Sequence, residues 1–338
     1  MKKTTRFLWK ASAAACAATL LASTSLHAAW TSFNLPPLSQ SFGSYWAGHL
    51  SDGRLVYGSN SDLDLQSSFG SSTLLDYNNA GTWDPSALAI FSNSIGAIGQ
   101  GTFGASSIYL FDPSNLATGF TAISGVTIQN YGLAFRDSSS LYVAGLNGSQ
   151  MNIFALPKHS VSYVTTDGSV NKVIIDNVSD FSGNIALDLA GNLYVSNNDD
   201  GGLYKFTAAQ LSAAISGTAL GIGDGQFLTT IAQNSSLAVD SLGRIITAGY
   251  GGTGIDIYDP ANNTHTNLMP ALANQNYVVS TFSDGVQSYI AYINASGSST
   301  GSTLTYGYDT VANVVPEPGS VLLLCIGVAG VLGRRRRV

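Results

Sequence analysis

IALDLAGNLYVSNNDDGGLYKF, residues 185–206, decides the fold. It reads as an alternating apolar run, an Asp-x-x-Gly turn at Asp188 and Gly191, a run rich in β-formers, a polar loop, and a third run. That is three short strands joined by tight turns. LAVDSLGRIITAGYGGTGIDIYDP, from Leu237, repeats the same grammar with Asp240 and Gly243 at the turn. LAFRDSSSLYVAGLNGSQMNIFAL, from Leu133, is a third copy with Asp137 at the turn and no glycine. Weaker copies carry Asp52 in HLSDGRLVYGS and Asp284 in VVSTFSDGVQSYIAYINASG, and one centred near Gly96 has no acidic turn residue. The anchors fall at 52, about 96, 137, 188, 240 and 284, so the period is 41 to 52 residues. A second landmark agrees: FDPSN at Phe111 and YDPAN at Tyr258 lie 147 residues apart, three repeats of 49.

Self-similar units of this length, each with three or four strands, predict an all-β chain folded as a six-bladed β-propeller. A seventh blade remains open if residues 60–90 hide a further hairpin, as does another all-β architecture. TAAQLSAAISG, from Thr207, reads as a short helix inserted after the fourth blade and ended by Gly217. Unpaired sheet edges must be closed. TSFNL near Phe33 is therefore expected in the same blade as TLTYGY from Thr303. The phrase from Ala186 to Val195, and in part that from Ala238 to Ile246, resembles the repeats of NHL-type six-bladed propellers, which carry a similar Ala-x-Asp-x-x-Gly-x-apolar-Tyr-Val pattern.

The two ends say where the chain goes. Residues 1–29 carry a basic start (Lys2, Lys3, Arg6, Lys10), an Ala-rich apolar run and small residues at Ala28 and Ala29. This is the pattern of a secretory signal helix, cleaved after Ala28 or Ala29. The other end reads VVPEPGSVLLLCIGVAGVLGRRRRV. Its uncharged stretch from Pro318 to Gly333 is 16 residues long, roughly 24 Å of helix against a bilayer core of about 30 Å. Arg334, Arg335, Arg336 and Arg337 form a basic stop that stays cytoplasmic, leaving everything upstream outside. Pro316, Glu317 and Pro318, the apolar stretch from Val321 to Leu332 and the four arginines resemble the PEP-CTERM sorting signal of Gram-negative bacteria. That resemblance implies a temporary membrane anchor, removed near the Pro-Glu-Pro by an exosortase-type enzyme, and an extracellular setting of exopolysaccharide, biofilm or floc. The alternative is a permanent tail anchor. The organisation expected is a signal peptide over 1–29, a propeller over 30–310, a linker over 311–315 and the sorting segment over 316–338.

Composition narrows the chemistry. Between Trp30 and Val315 stand six basic residues and 19 aspartates, a net charge of −13 against −6 for the whole chain. An acidic domain of this kind repels nucleic acid. Glu317 is the sole glutamate, so no Glu ligand or Glu acid/base is available to the mature domain. Both cysteines, Cys16 and Cys325, lie in the terminal segments, which removes disulfides, thiolate ligands and a cysteine nucleophile. His49, His159 and His265 share no ligand spacing, there is no G-x-S-x-G elbow, and GIGDGQF at Gly221 lacks the Lys and Ser/Thr of a phosphate loop.

The candidate sites are few. The recurrent turn aspartates read either as a ring of metal ligands or as residues bonding their own backbone. The oxygen-rich loop SNNDDGG makes Asp199 and Asp200 candidate Ca²⁺ ligands, although the spacing is not that of an EF-hand and equally fits a solvated hairpin end. Tyr45, Trp46, Trp83, Tyr131, Tyr250 and Tyr277 sit beside loop residues. Of these, Trp46, Trp83 and Tyr250 are the leading candidates for stacking on sugar rings, the alternative being that most of these aromatics are core packing. The expectation is an exported surface or matrix protein whose propeller binds polysaccharide or protein, with no resident cofactor. The alternatives are an extracellular propeller enzyme (lyase, lactonase or glycan hydrolase) and a purely structural spacer. The lactonases among related propellers hold a divalent metal with Glu, Asn and Asp, and this chain lacks the Glu.

Overall fold

A computed structural model describes residues 30–34, 45–59, 62–71, 74–79, 85–100, 107–147, 158–179, 184–232, 234–249, 254–269, 275–284, 288–296 and 303–309. The signal and sorting segments lie outside the described residues. Thr31–Tyr308 forms one compact unit.

The described strands fall into six sheets, each a blade. Their first strands are Tyr45–His49, Pro85–Ser92, Ile128–Asp137, Ile185–Leu187, Asn234–Val239 and Gln275–Ser283. These six strands touch one another in cyclic order, and the last returns to the first. They therefore ring a central channel, and the remaining strands of each blade pair outwards. Residues 62–66 and 74–79 are the third and fourth strands of blade 1, which accounts for the segment where a seventh blade was considered. Closure is as expected. Blade 6 runs from Gln275–Ser283 through Ser288–Ser296 and Thr303–Asp309 to Trp30–Asn34, so the N-terminal strand is its outermost member.

Each strand inside the ring lies between two neighbouring blades, so both of its faces are buried. That explains phrases such as Leu-Tyr-Val, in which successive residues are all apolar. Leu141 and Val143 pack toward blade 2, while Tyr142 and Ala144 pack toward blade 4. One repeat on, Leu193 and Val195 face blade 3 and Tyr194 faces blade 5. Close blade contact also demands small residues: a Cβ on Gly99, in blade 2, would fall on the Asn130 side chain of blade 3.

The turns are built by aspartate. Asp52, Asp137, Asp188 and Asp240 each accept the backbone N–H two residues on, from Arg54, Ser139, Ala190 and Leu242 respectively. Asp112, Asp167, Asp200 and Asp259 repeat the device elsewhere. A short side chain reaches that donor where a glutamate, one methylene longer, overshoots it, which favours aspartate over glutamate at these eight turns. Blade 2 lacks an acid because Ser92 Oγ serves instead, accepting the Ser94 N–H at 3.3 Å. Gly191 and Gly243 close their turns at φ 78° and 77°, a region that favours glycine.

The predicted helix is present as Ala208–Ser216, with Thr207 as its cap and Gln210 completing a capping box. Its place differs from the expectation. It lies inside blade 4, between the third strand Gly202–Phe206 and the fourth strand Gln226–Thr230. The residues after it form a two-residue strand, Leu220–Gly221, parallel to Asn171–Ser179 at the edge of blade 3. The insert thus clasps the neighbouring blade. Lys172, from blade 3, donates to the carbonyls of Ile215 and Gly217 at the helix C-terminus, at 2.8 and 2.6 Å.

Candidate functional site

The ring of first strands lines a partly open cavity of about 80 Å³ in the channel. Every blade contributes at one level: Trp46, Ala87, Gly132, Asn184, Ser236 and Val278. The residue after each of these is apolar, namely Ala47, Leu88, Leu133, Ile185, Leu237 and Val279. The turn aspartates repeat from blade to blade, whereas this level carries a different residue in almost every blade. A scaffold position repeats; a site position differentiates.

Trp46 is 3 % exposed and packs in the cluster between blades 1 and 2. Its Nε1–H is buried and has no hydrogen-bond partner among the described residues. Tyr131 enters the lining at a bulge, dropping out of the strand register between Asn130 and Gly132. Its ring stacks on His159, centroids 5.0 Å apart and 11° from parallel. Burial pushes its hydroxyl pKa up, and a hydrogen bond with Gln129 pulls it partly back. Ser236 Oγ donates to the Val279 carbonyl at 3.3 Å and accepts from the Val279 N–H at 3.2 Å, tying blade 5 to blade 6. Asn184 opens the innermost strand of blade 4, its N–H bonded to Ser196 Oγ.

Of the sequence candidates, Trp46 and Tyr131 reach this cavity. Trp83, Tyr250, Ala28, Ala29 and the sorting-motif residues Pro316, Glu317, Pro318 and Arg334 to Arg337 lie outside the described residues. Asp199 and Asp200 are described and stand apart from the cavity lining. Asp200 accepts from the Gly202 N–H at 2.7 Å and the Tyr204 hydroxyl at 2.8 Å, and Asp199 lies 3.4 Å from Lys158 Nζ. Asp200 therefore spends both carboxylate oxygens on its own hairpin. Among the described residues no group of three or more His, Cys, Asp or Glu is placed to hold a metal ion. The turn aspartates bond their own loops and are not drawn into a ring of ligands. Asn184 and Ser236 were missed. The signal for them is the residue just before the apolar pair that precedes the turn, read across the aligned repeats.

Sequence named no partner for the histidines. His49 Nδ1 lies 2.7 Å from Ser280 Oγ, and its ring stacks on Phe282 at 5.9 Å, in the seam where blade 6 meets blade 1. Burial pulls the His49 pKa down to about 3, so the imidazole is neutral at ordinary pH.

Comparison with known proteins places both halves of this description. Residues 314–337 match the PEP-CTERM protein-sorting motif. The chain thus carries the sorting signal of an exported, exosortase-processed precursor. No curated protein matches the chain by sequence. Among solved structures, a luciferin-regenerating enzyme superposes with a TM-score of 0.58 at 10 % identity, covering 84 % of this chain and 96 % of that one. A calcium-binding regucalcin from Agrobacterium tumefaciens gives 0.55 at 13 % identity over 80 % and 90 %. A gluconolactonase from Xanthomonas campestris gives 0.54 at 14 % identity over 80 % and 87 %. Likeness at these identities shows the propeller fold and nothing finer.

Proposed function

We propose that this is an exported surface or extracellular-matrix protein whose propeller binds polysaccharide or protein outside the cell. In this reading an exosortase-type enzyme removes the tail near Pro316, Glu317 and Pro318, and the released unit runs from Ala29 or Trp30 to about Val315. One observation carries the reading: a sorting motif is joined to a closed propeller whose channel presents uncharged, blade-specific groups.

The calcium-binding relative invites a test of fit. Ca²⁺ takes about six to eight oxygen ligands, carboxylates foremost. The described channel lining supplies no carboxylate, and the Ser236 hydroxyl is already engaged by Val279. These residues do not suit a divalent cation. The acidic domain also favours neutral polymers over polyanionic ones.

The test is co-sedimentation of the exported protein with matrix polymer purified from its own host, with and without chelator. The reading predicts that the protein pellets with the polymer and that chelation changes nothing. Protein left in the supernatant at all polymer concentrations would count against it.

A further inference from the structure

We propose that the turn face of blades 4 and 5 rests on the membrane that anchors the precursor, with Leu189 and Leu242 dipping into a zwitterionic lipid surface. This rests on the sorting reading above and goes beyond it by naming the face that meets the lipid.

Topology defines the face. In each antiparallel blade, the turn between the first and second strands and the link between the third and fourth lie at the same end. Hydrogen bonds join these turns within and between blades: Ser51 N–H to the Asn93 side chain, Thr166 N–H to the Ser139 carbonyl, and Ser241 Oγ to Ser288 Oγ. Five large apolar residues are exposed among the described residues, and four belong to this end. Leu189 and Leu242 sit at turn tips, 93 % and 49 % exposed. Phe91 just precedes the first turn of blade 2, and Val170 closes the outer hairpin of blade 3. The fifth, Phe227, lies on the outermost strand of blade 4. Chance would spread them over both ends.

Backbone chemistry suits the tips to a lipid interface. A peptide group that leaves water needs a partner inside the protein. At the first tip, Asp188 holds the N–H groups of Ala190, Gly191 and Asn192; at the second, Asp240 holds those of Leu242, Gly243 and Arg244. The leucines can therefore be buried without stranding those donors. Charge selects the lipid. Five of the domain's six basic residues, Arg54, Arg136, Lys172, Lys205 and Arg244, stand near strand ends on this face. The turn aspartates still outnumber them, so a zwitterionic surface fits and an anionic one is repelled.

The tether brings lipid to this face. Thr303–Asp309 is the third strand of blade 6 and, like every third strand, runs to this end. Eight residues, 310–317, separate it from Pro318, where the uncharged stretch begins. Fully extended, they reach about 28 Å. A tether this short gives an effective concentration of roughly millimolar. A contact too weak to hold the free domain thus persists while the tail is in place and lapses when the tail is cut.

The experiment uses the full precursor, tail included, reconstituted in phosphatidylcholine vesicles. The domain has no cysteine, so after Cys325→Ser a single thiol is placed by Leu189→Cys, Leu242→Cys or Thr230→Cys, the last at an exposed residue on the other end of blade 4. The alkylation rate of the thiol reads burial, and quenching of an attached NBD fluorophore by brominated lipid reads lipid contact. Labels at positions 189 and 242 are expected to be quenched. Their thiols should react about tenfold more slowly than in the processed chain, the factor that burial of one leucine supplies. Position 230 should show neither effect. Leu189→Asp changes a solvated tip and leaves folding alone; it should return the thiol at position 242 to within about twofold of the processed chain. Adding phosphatidylglycerol should weaken the quenching. Equal rates at all three positions, or quenching that grows with anionic lipid, would overturn the proposal. Protection without quenching would mean that a protein, such as a second copy of this chain, covers the face, and would overturn the lipid assignment. A precursor that fails to float with the vesicles would overturn the anchor reading itself, a separate failure.

Discussion

Replacing Asp240 tests the claim that short carboxylates hold the blades in register. Its side chain is fully buried. Oδ1 accepts from the backbone N–H groups of Leu242 at 3.0 Å and Arg244 at 2.9 Å, and Oδ2 accepts from Arg244 Nε at 2.7 Å. Asp240→Ala removes three hydrogen bonds to an ionised carboxylate, worth about 1.5–3 kcal/mol each. The Arg244 side chain is partly exposed, so water repairs part of the loss. The net cost is about 3 kcal/mol, the lower end of breaking a buried ion pair. A domain of this size loses roughly 2–4 °C of melting temperature per kcal/mol, so Tm should fall by about 8 °C. Asp240→Asn keeps the Oδ1 acceptor and should lose about half as much. Asp240→Glu carries its carboxylate one methylene past the donors and should cost nearly as much as alanine. Thermal unfolding followed by circular dichroism at neutral pH reads the series. A glutamate variant as stable as the native protein would refute the account of why this domain uses aspartate alone, and so would an alanine variant within about 1 °C.

Three further outcomes are expected. Lys172→Met frees the Ile215 and Gly217 carbonyls; amide exchange should speed up in the last turn of the helix and stay unchanged in blade 1. His49 should make stability acid-sensitive: with its folded pKa below its unfolded value, the unfolded chain binds the extra proton, so stability falls as pH drops below about 6.5 and continues to fall toward 3. His49→Gln should flatten the dependence of Tm on pH between about 6.5 and 4, whereas the depressed carboxyls of Asp137 and Asp188 act below that window. In Asp188, burial raises the pKa, but hydrogen bonds led by the Asn192 side chain outweigh it. Deleting residues 30–34 removes the outermost strand of blade 6 and bares the strand Thr303–Asp309; self-association should then appear by size-exclusion chromatography.

Much of the fold was legible because turn chemistry is local. An Asp followed by a Gly three residues on specifies the same hairpin wherever it occurs, and all six anchors fall at the first hairpin of a blade. The helix ends were legible for the same reason, from Thr207 and Gly217. Its location within blade 4 was not, since a degenerate repeat does not say which strand gap an insert occupies. The channel was mostly hidden. Trp46, Asn184 and Ser236 meet because the ring closes, yet each lies tens of residues from the next, and none sits in a recognisable motif. Trp46 drew notice only as an aromatic residue near loop positions. The contact between His49 and Ser280 spans 231 residues and has no trace in the sequence.

The central claim is that the chain is exported, closed into a propeller and then cut free at its sorting motif. The most direct measurement is the intact mass of the protein isolated from its own host, with both terminal peptides sequenced. The account predicts a chain starting at Ala29 or Trp30 and ending near Val315 or Pro316, so that the strands Trp30–Asn34 and Thr303–Asp309 of the closing blade are both retained. A mass that still includes Arg334 to Arg337 would contradict it and make the protein a permanently tail-anchored propeller.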